Sequence, residues 1–67
     1  ARRWREALKN FQRSVQLEPN DPEARLDLGV AYRHSGDRSS ALEQYEALKH
    51  LDPARADLLF RAISESQ

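Results

Sequence analysis

The chain has 67 residues, neither cysteine nor methionine, and 11 basic residues that balance 11 acidic ones. This composition excludes a disulfide framework and a thiolate metal site, disfavours a general polyanion binder, and leaves the compartment undecided with the cytoplasm as the default. A single core in so short a chain rarely supplies more than about 3–5 kcal/mol, so close packing must provide the stability.

The absence of an initiator methionine leads us to expect a domain excised from a longer protein. No apolar run approaches the length of about 18 residues that a membrane span needs, and no charged leader with an apolar core is visible. We therefore predict a soluble segment with no membrane insertion.

The first predicted helix covers residues 2–18. Apolar residues recur along it every three or four positions, which is the pattern of an amphipathic helix. Its apolar stripe consists of Trp4, Leu8, Phe11 and Val15, with Ala7 and Leu17 beside it.

The same helix carries five basic residues against Glu6 alone within positions 1–13. These charges spread around the helix and lack interleaved exposed aromatic residues for base stacking, so the pattern favours a solvated face and no nucleic-acid partner. The basic residues are Arg2, Arg3, Arg5, Lys9 and Arg13.

The second predicted helix begins at an Asp-Pro pair. Asp21 can accept free backbone N–H groups, while Pro22 at the first helical position has no N–H to leave unpaired. The helix carries Leu28, Ala31 and Tyr32 on one face and is expected to end near Ser35, followed by a glycine suited to the left-handed closing conformation.

Two further helices complete the chain. Asp37 is placed to cap a third helix that runs to about Leu51 and ends at Asp52-Pro53. A fourth helix is predicted from Ala54 to about Glu65 and is expected to fray into the last two residues. Short connectors between four helices predict an all-α, antiparallel stack with no strand.

The chain matches itself at an offset of 34 residues. A unit of this length cannot bury its own apolar face, so neighbouring units stack into a solenoid that normally serves as a binding surface. The matching pairs are Ala7 with Ala41, Leu8 with Leu42, Phe11 with Tyr45, Leu17 with Leu51, Glu18 with Asp52, and Pro19 with Pro53.

These residues resemble the tetratricopeptide repeat family. Its unit is a pair of helices with a characteristic order of large apolar, small, aromatic and proline positions. Arg25 departs from this order, because it stands where a bulky aromatic is usual, and we expect it on the exposed side. Leu48 also departs, since a small residue is expected near it. The matching residues are Leu28, Gly29, Tyr32, Gly36, Asp37, Ala41, Tyr45 and Pro53.

The resemblance implies one domain over residues 1–67. Residues 1–19 correspond to the second helix of a preceding unit, residues 22–53 to a complete unit, and residues 54–67 to a capping or degenerate helix. Gly29 and Ala41 are expected to let the two helices of the complete unit approach closely, because they have little or no side chain.

The resemblance also implies a non-catalytic scaffold that holds a peptide or helix of a protein partner in a groove lined by the first helices. A subset of the family grips a C-terminal carboxylate with Lys and Asn at two positions that here hold Leu26 and Val30, so no such clamp is expected. The predicted groove residues are Glu23, Leu26, Asp27, Val30, Arg33, His34, Phe60, Arg61 and Ser64.

A second candidate surface lies on the first helix. Trp4, Leu8 and Phe11 form an apolar face whose natural partner helix is absent from the sequence, so this face is either partly exposed or pairs with a second copy in a homodimer. The alternative function is therefore a structural cap or self-association element of a longer repeat array, with no ligand of its own.

The residue pattern offers no catalytic or cofactor site. His34 and His50 lie 16 residues apart without a metal-binding spacing on one helix. Ser39, Ser40 and Ser64 have no nearby histidine in a triad arrangement, and no glycine-rich phosphate loop occurs. We predict no enzymatic activity, no cofactor and no metal.

Overall fold

The computed structural model describes residues 2–65, with side chains from residue 3 onward, so Ser66, Gln67 and the side chain of Arg2 lie outside the described residues. Within residues 2–65 the chain forms four α-helices and no strand, which confirms the all-α prediction. The helices are α1 (Arg2–Leu17), α2 (Pro22–His34), α3 (Arg38–Leu51) and α4 (Pro53–Ser64).

Aspartate side chains begin three of the helices. The Oδ1 atom of Asp21 accepts the backbone N–H of Glu23 at 3.0 Å, and that of Asp37 accepts the N–H of Ser40 at 3.1 Å. Asp52 is both the C-cap of α3 and the N-cap of α4. The helix α4 therefore begins at Pro53, one residue earlier than the sequence predicted. A carboxylate at this position satisfies N–H groups that have no partner inside the helix.

A Schellman motif closes α2 and sets the turn into α3. The backbone N–H of Gly36 donates to the carbonyl of Arg33, and the N–H of Asp37 donates to that of Tyr32. Gly36 has a φ of +85°, the left-handed conformation expected from its position in the sequence. Glycine is favoured here because it has no Cβ to clash in this region.

The helix α2 lies at the centre of the packing. It packs against α1, α3 and α4, and α3 also packs against α4. Among the described residues, α1 contacts α2 and neither of the other two helices. One bond that links α1 to α2 runs from Gln12 Nε2 to the hydroxyl of Tyr32 at 2.9 Å.

The core lies between α2, α3 and α4. Its fully buried large side chains are Leu48 from α3 and Leu59 and Ile63 from α4. Half-buried apolar residues pack around this cluster; they are Leu26, Val30, Tyr32, Leu42 and Tyr45.

The close approach at Gly29 joins different helices from those expected. A Cβ atom built on Gly29 would lie 2.5 Å from Leu59 Cδ2, so the missing side chain lets α4 approach α2. The sequence had suggested that this glycine served the contact between α2 and α3. The atoms nearest to the added Cβ belong to Leu59 of α4 because the register of α4 places this side chain beside Gly29.

Arg25 is half-buried, so the prediction of an exposed side chain is wrong. Its Nε donates to the carbonyl of Pro19 at 3.0 Å, and its Nη1 donates to Oε1 of Gln44 at 3.0 Å. Gln44 is the buried polar residue of α3, with 6% of its surface exposed. The arginine thus replaces the usual aromatic residue with a polar link between the start of α2 and the middle of α3.

Candidate functional site

Three residues of the predicted groove lie on α2 and α4, the two helices joined at the Gly29 contact. Leu26 and Val30 are half-buried and pack against the core cluster, whereas Phe60 is 47% exposed. Val30 and Phe60 directly follow the two residues that form the contact, Gly29 and Leu59. We call Leu26, Val30 and Phe60 the α2–α4 strip.

An aromatic contact supports Phe60 from α3. The ring centroids of Phe60 and Tyr45 lie 5.2 Å apart at an angle of 42°, a tilted arrangement that suits the ring quadrupoles. Lys49 places its Nζ 5.5 Å from the centre of the Tyr45 ring and pairs with Glu46 at 3.2 Å. Tyr45 is not among the groove residues predicted from the sequence, because its repeat position indicates a core residue.

The structure places Asp27 in a cleft between α1 and α2. This cleft also contains Phe11 and Ser14 of α1, together with Glu23 at the start of α2. Partial burial raises the pKa of the Asp27 carboxyl above its ordinary value, and the negative charges of Glu23 and Asp21 raise it further. Asp27 and Glu23 therefore form an acidic cleft beside α1.

Arg33 and His34 meet at the end of α2. Arg33 Nη1 lies 3.3 Å from His34 Nε2, and since a guanidinium only donates, the imidazole nitrogen accepts this bond. The Nε atom of Arg33 is buried and has no hydrogen-bond partner among the described residues. Arg33 also lines a small cavity, together with Gly36, Arg38 and Ile63.

Trp4 stacks on His34, which brings the two predicted surfaces together. The ring centroids are 4.3 Å apart and the rings are within 9° of parallel. Trp4 and Leu8 also line a cavity with His34 and Ser35. All three residues of the predicted self-association face, Trp4, Leu8 and Phe11, are half-buried.

Two leucines, on the first and the last helix, are more exposed than Trp4, Leu8 and Phe11. Leu17 at the end of α1 is 71% exposed, and Leu58 on α4 is 56% exposed. The sequence had placed Leu17 beside the packing stripe of α1. Among the described helices, α1 packs against α2 alone, and Leu17 stays exposed beside that contact.

Two predicted groove residues on α4 are exposed, and no contact from them to another predicted groove residue is found among the described residues. They are Arg61 and Ser64 of α4. The described basic residues of α1 are also exposed; they are Arg3, Arg5, Lys9 and Arg13. The absence of a nucleic-acid partner stays a prediction.

The described part of the chain contains neither a cluster of metal ligands nor a membrane-spanning helix. No group of three or more acidic or histidine side chains there could hold a metal ion. Among the described helices, none has the length and apolar character needed to cross a membrane.

The stacked helix pairs, the Asp-Pro starts and the 34-residue offset define a helical-repeat protein. The sequence model of the tetratricopeptide repeat family matches residues 1–63. The chain belongs to the tetratricopeptide repeat family, which confirms the resemblance drawn from its residues. Repeats of this family generally serve as protein-interaction modules.

Curated relatives share part of their length with the chain. A UPF0162 protein of Xylella fastidiosa is 40% identical over 52 residues, which are 78% of the chain and 18% of that protein. The aspartyl/asparaginyl beta-hydroxylases of Homo sapiens and Mus musculus are each 43% identical over 49 residues, 73% of the chain. The chain spans 6% of the human protein and 7% of the mouse one. No solved structure matches the chain significantly.

Proposed function

We propose that this segment is a non-catalytic scaffold that holds a peptide or short helix of a protein partner against the α2–α4 strip. The observation that carries the proposal is the exposure of Phe60 on a helix that lies beside Leu26 and Val30. Apolar residues grouped on adjacent helices can anchor the apolar side chains of a peptide.

The contact of Phe60 with Tyr45 strengthens this proposal. Its ring rests on Tyr45, and Tyr45 packs against the buried core, so Phe60 is held while part of its surface stays open. An aromatic residue fixed before binding loses little conformational freedom when a partner arrives. The half-buried Leu26 and Val30 supply apolar surface on α2, the helix against which α4 packs.

Selection of peptides from a random displayed library tests this function. Peptides selected on the unaltered chain should lose about tenfold or more in affinity for Phe60→Ser, as expected when a central aromatic anchor is removed. The control is Leu58→Ser, which removes an exposed apolar side chain from the same helix outside the strip. Equal binding to the Phe60 variant, or equal losses in both variants, would contradict the proposal.

A second candidate function is a structural link in a longer array or a homodimer. The exposures of Leu17 and Leu58, at opposite ends of the chain, favour it, because exposed apolar residues often mark association sites. Sedimentation across a concentration series tests the homodimer. A chain that stays monomeric at the highest concentration excludes self-association through the α1 face of Trp4, Leu8 and Phe11.

A further inference from the structure

The cavity at the turn between α2 and α3 has two guanidinium groups in its lining. Arg33 comes from the last turn of α2, Arg38 begins α3, and Ile63 of α4 supplies an apolar wall. The cavity has a volume of about 120 Å³. A cavity of about 10–15 Å³ admits one water molecule, so this one has room for a small polyatomic group.

The guanidinium of Arg33 is incompletely satisfied. Its Nη1 donates to His34, but its buried Nε has no hydrogen-bond partner in the described residues. A guanidinium carries five N–H donors and no acceptor, and the bond to His34 uses one of them. The N–H groups on its two terminal nitrogens that the bond to His34 does not use can therefore donate to an acceptor in the cavity, which Arg33 lines.

The described residues supply no negative charge for either arginine. The ion pairs of the described residues join Lys49 to Glu46 and Arg55 to Asp52. The carboxylate nearest in sequence, that of Asp37, accepts the backbone N–H and the hydroxyl of Ser40. Among the described residues, neither guanidinium of the cavity has an acidic partner within ion-pair distance.

We propose that this cavity binds an oxyanion group, a carboxylate or a phosphate, through Arg33 and Arg38. Guanidinium groups match the geometry of both oxyanions and form strong charge-assisted hydrogen bonds with them. Gly36 lines the cavity without a side chain, and a Cβ built on it would meet no atom within 4 Å. The site is separate from Leu26 and Val30, and its test requires no peptide.

A titration followed by nuclear magnetic resonance tests the site through the Arg33 Nε–H signal. Sodium acetate and sodium phosphate are the two probes, and sodium chloride at equal ionic strength is the reference. The whole chain is used with an amidated C-terminus, so that its own terminal carboxylate does not compete. We expect a saturable shift of the Arg33 signal with acetate, phosphate or both, and none with chloride.

Two variants with the same loss of charge make the result specific. Arg38→Gln should weaken the saturable binding about tenfold or more, the loss expected for a charge-assisted contact. Arg13→Gln, on the exposed surface of α1, should leave it unchanged. Because Arg38 is exposed, its variant is expected to fold, and circular dichroism checks this.

The probes separate the two sources of the oxyanion. Saturation with acetate alone assigns a carboxylate, and saturation with phosphate alone assigns a phosphate group. A linear shift shared by acetate, phosphate and chloride would overturn the proposal. Equal affinities of the Arg38→Gln and unaltered chains would also overturn it.

Discussion

The helices α1 and α3 match each other at an offset of 34 residues, yet they have different neighbours. Between α2 and α4, α3 buries Ala41 completely, whereas Ala7 on α1 is half-buried. Leu51 at the end of α3 is half-buried, and its counterpart Leu17 is 71% exposed. Residues of the same type therefore differ in burial because one helix is covered on two sides and the other on one.

The residues that differ between the two helices follow the same division. Leu48 is fully buried in α3, and the matching position of α1 holds Ser14, which is exposed. The hydroxyl of Ser14 donates to the carbonyl of Asn10, within its own helix. At matching positions, α1 thus carries an exposed polar residue and α3 carries a buried large apolar one.

Truncation of Leu48 is expected to give the largest effect of this comparison. Leu48→Ala should lower the free energy of unfolding by about 2–5 kcal/mol, because it leaves a cavity at a fully buried position. That loss is comparable with the whole stability expected for a chain of this size. A large fraction of the molecules should therefore be unfolded. Urea denaturation followed by circular dichroism measures it.

The matched control for this prediction is Leu17→Ala at the end of α1. An exposed leucine loses little buried surface on truncation, so the change should stay within about 0.5 kcal/mol. Similar losses at Leu48 and Leu17 would show that α1 is covered as completely as α3. That result would contradict the difference in burial between α1 and α3.

The contact between α2 and α4 gives the next largest effect. Gly29→Leu should destabilise the fold by about 1–3 kcal/mol, because the new side chain would overlap the buried Leu59. Glu43→Leu, at an exposed position of α3, introduces the same side chain without this overlap. Thermal melting compares the two, and equal melting temperatures would contradict the observed register of α4.

The local elements of the fold could be predicted from the sequence because they depend on nearby residues. Asp21 and Asp37 cap helices through N–H groups two and three residues away, and Gly36 closes α2 within one turn. The bond from Arg25 to Gln44 and the stack of Trp4 on His34 join residues 19 and 30 positions apart. Such pairs depend on how the helices pack, which the spacing of apolar residues does not specify.

The candidate site divides in the same way. The family resemblance predicts Leu26, Val30 and Phe60 as groove residues, and the helices that carry them, α2 and α4, pack against each other. The support of Phe60 by Tyr45 could not be predicted, since it depends on the angle between α3 and α4. A binding role for these residues stays a prediction until a partner is measured.

The polar link between Arg25 and Gln44 should give an effect of similar size that depends on both residues. Arg25→Leu leaves the buried Oε1 of Gln44 without its donor, and we expect a loss of about 1–3 kcal/mol. Adding Gln44→Leu removes the unsatisfied acceptor and should recover part of that loss. A double-mutant cycle in urea measures the coupling, and strictly additive effects would contradict the link.

Two aspartates, Asp37 and Asp27, should give the smallest effects, with opposite signs. Hydrogen bonds from Ser40 lower the pKa of Asp37, so its stabilising contribution is present above the ordinary value of about 4 and is lost as the pH falls through the lowered value. Burial and the nearby carboxylates raise the pKa of Asp27, so its charged form opposes folding at neutral pH. Acidification through the raised pKa of Asp27 relieves that penalty.

Charge-neutral variants separate these two contributions. At neutral pH, Asp27→Asn should unfold at a higher urea concentration than the unaltered chain, and Asp37→Asn at a lower one. The Asp27 difference should vanish below pH of about 4, where the carboxyl is protonated in both folded and unfolded chains. The Asp37 difference should persist to lower pH, because its folded carboxyl titrates last. Differences of the same sign would mean that the cleft beside α1 is as well solvated as the cap of α3.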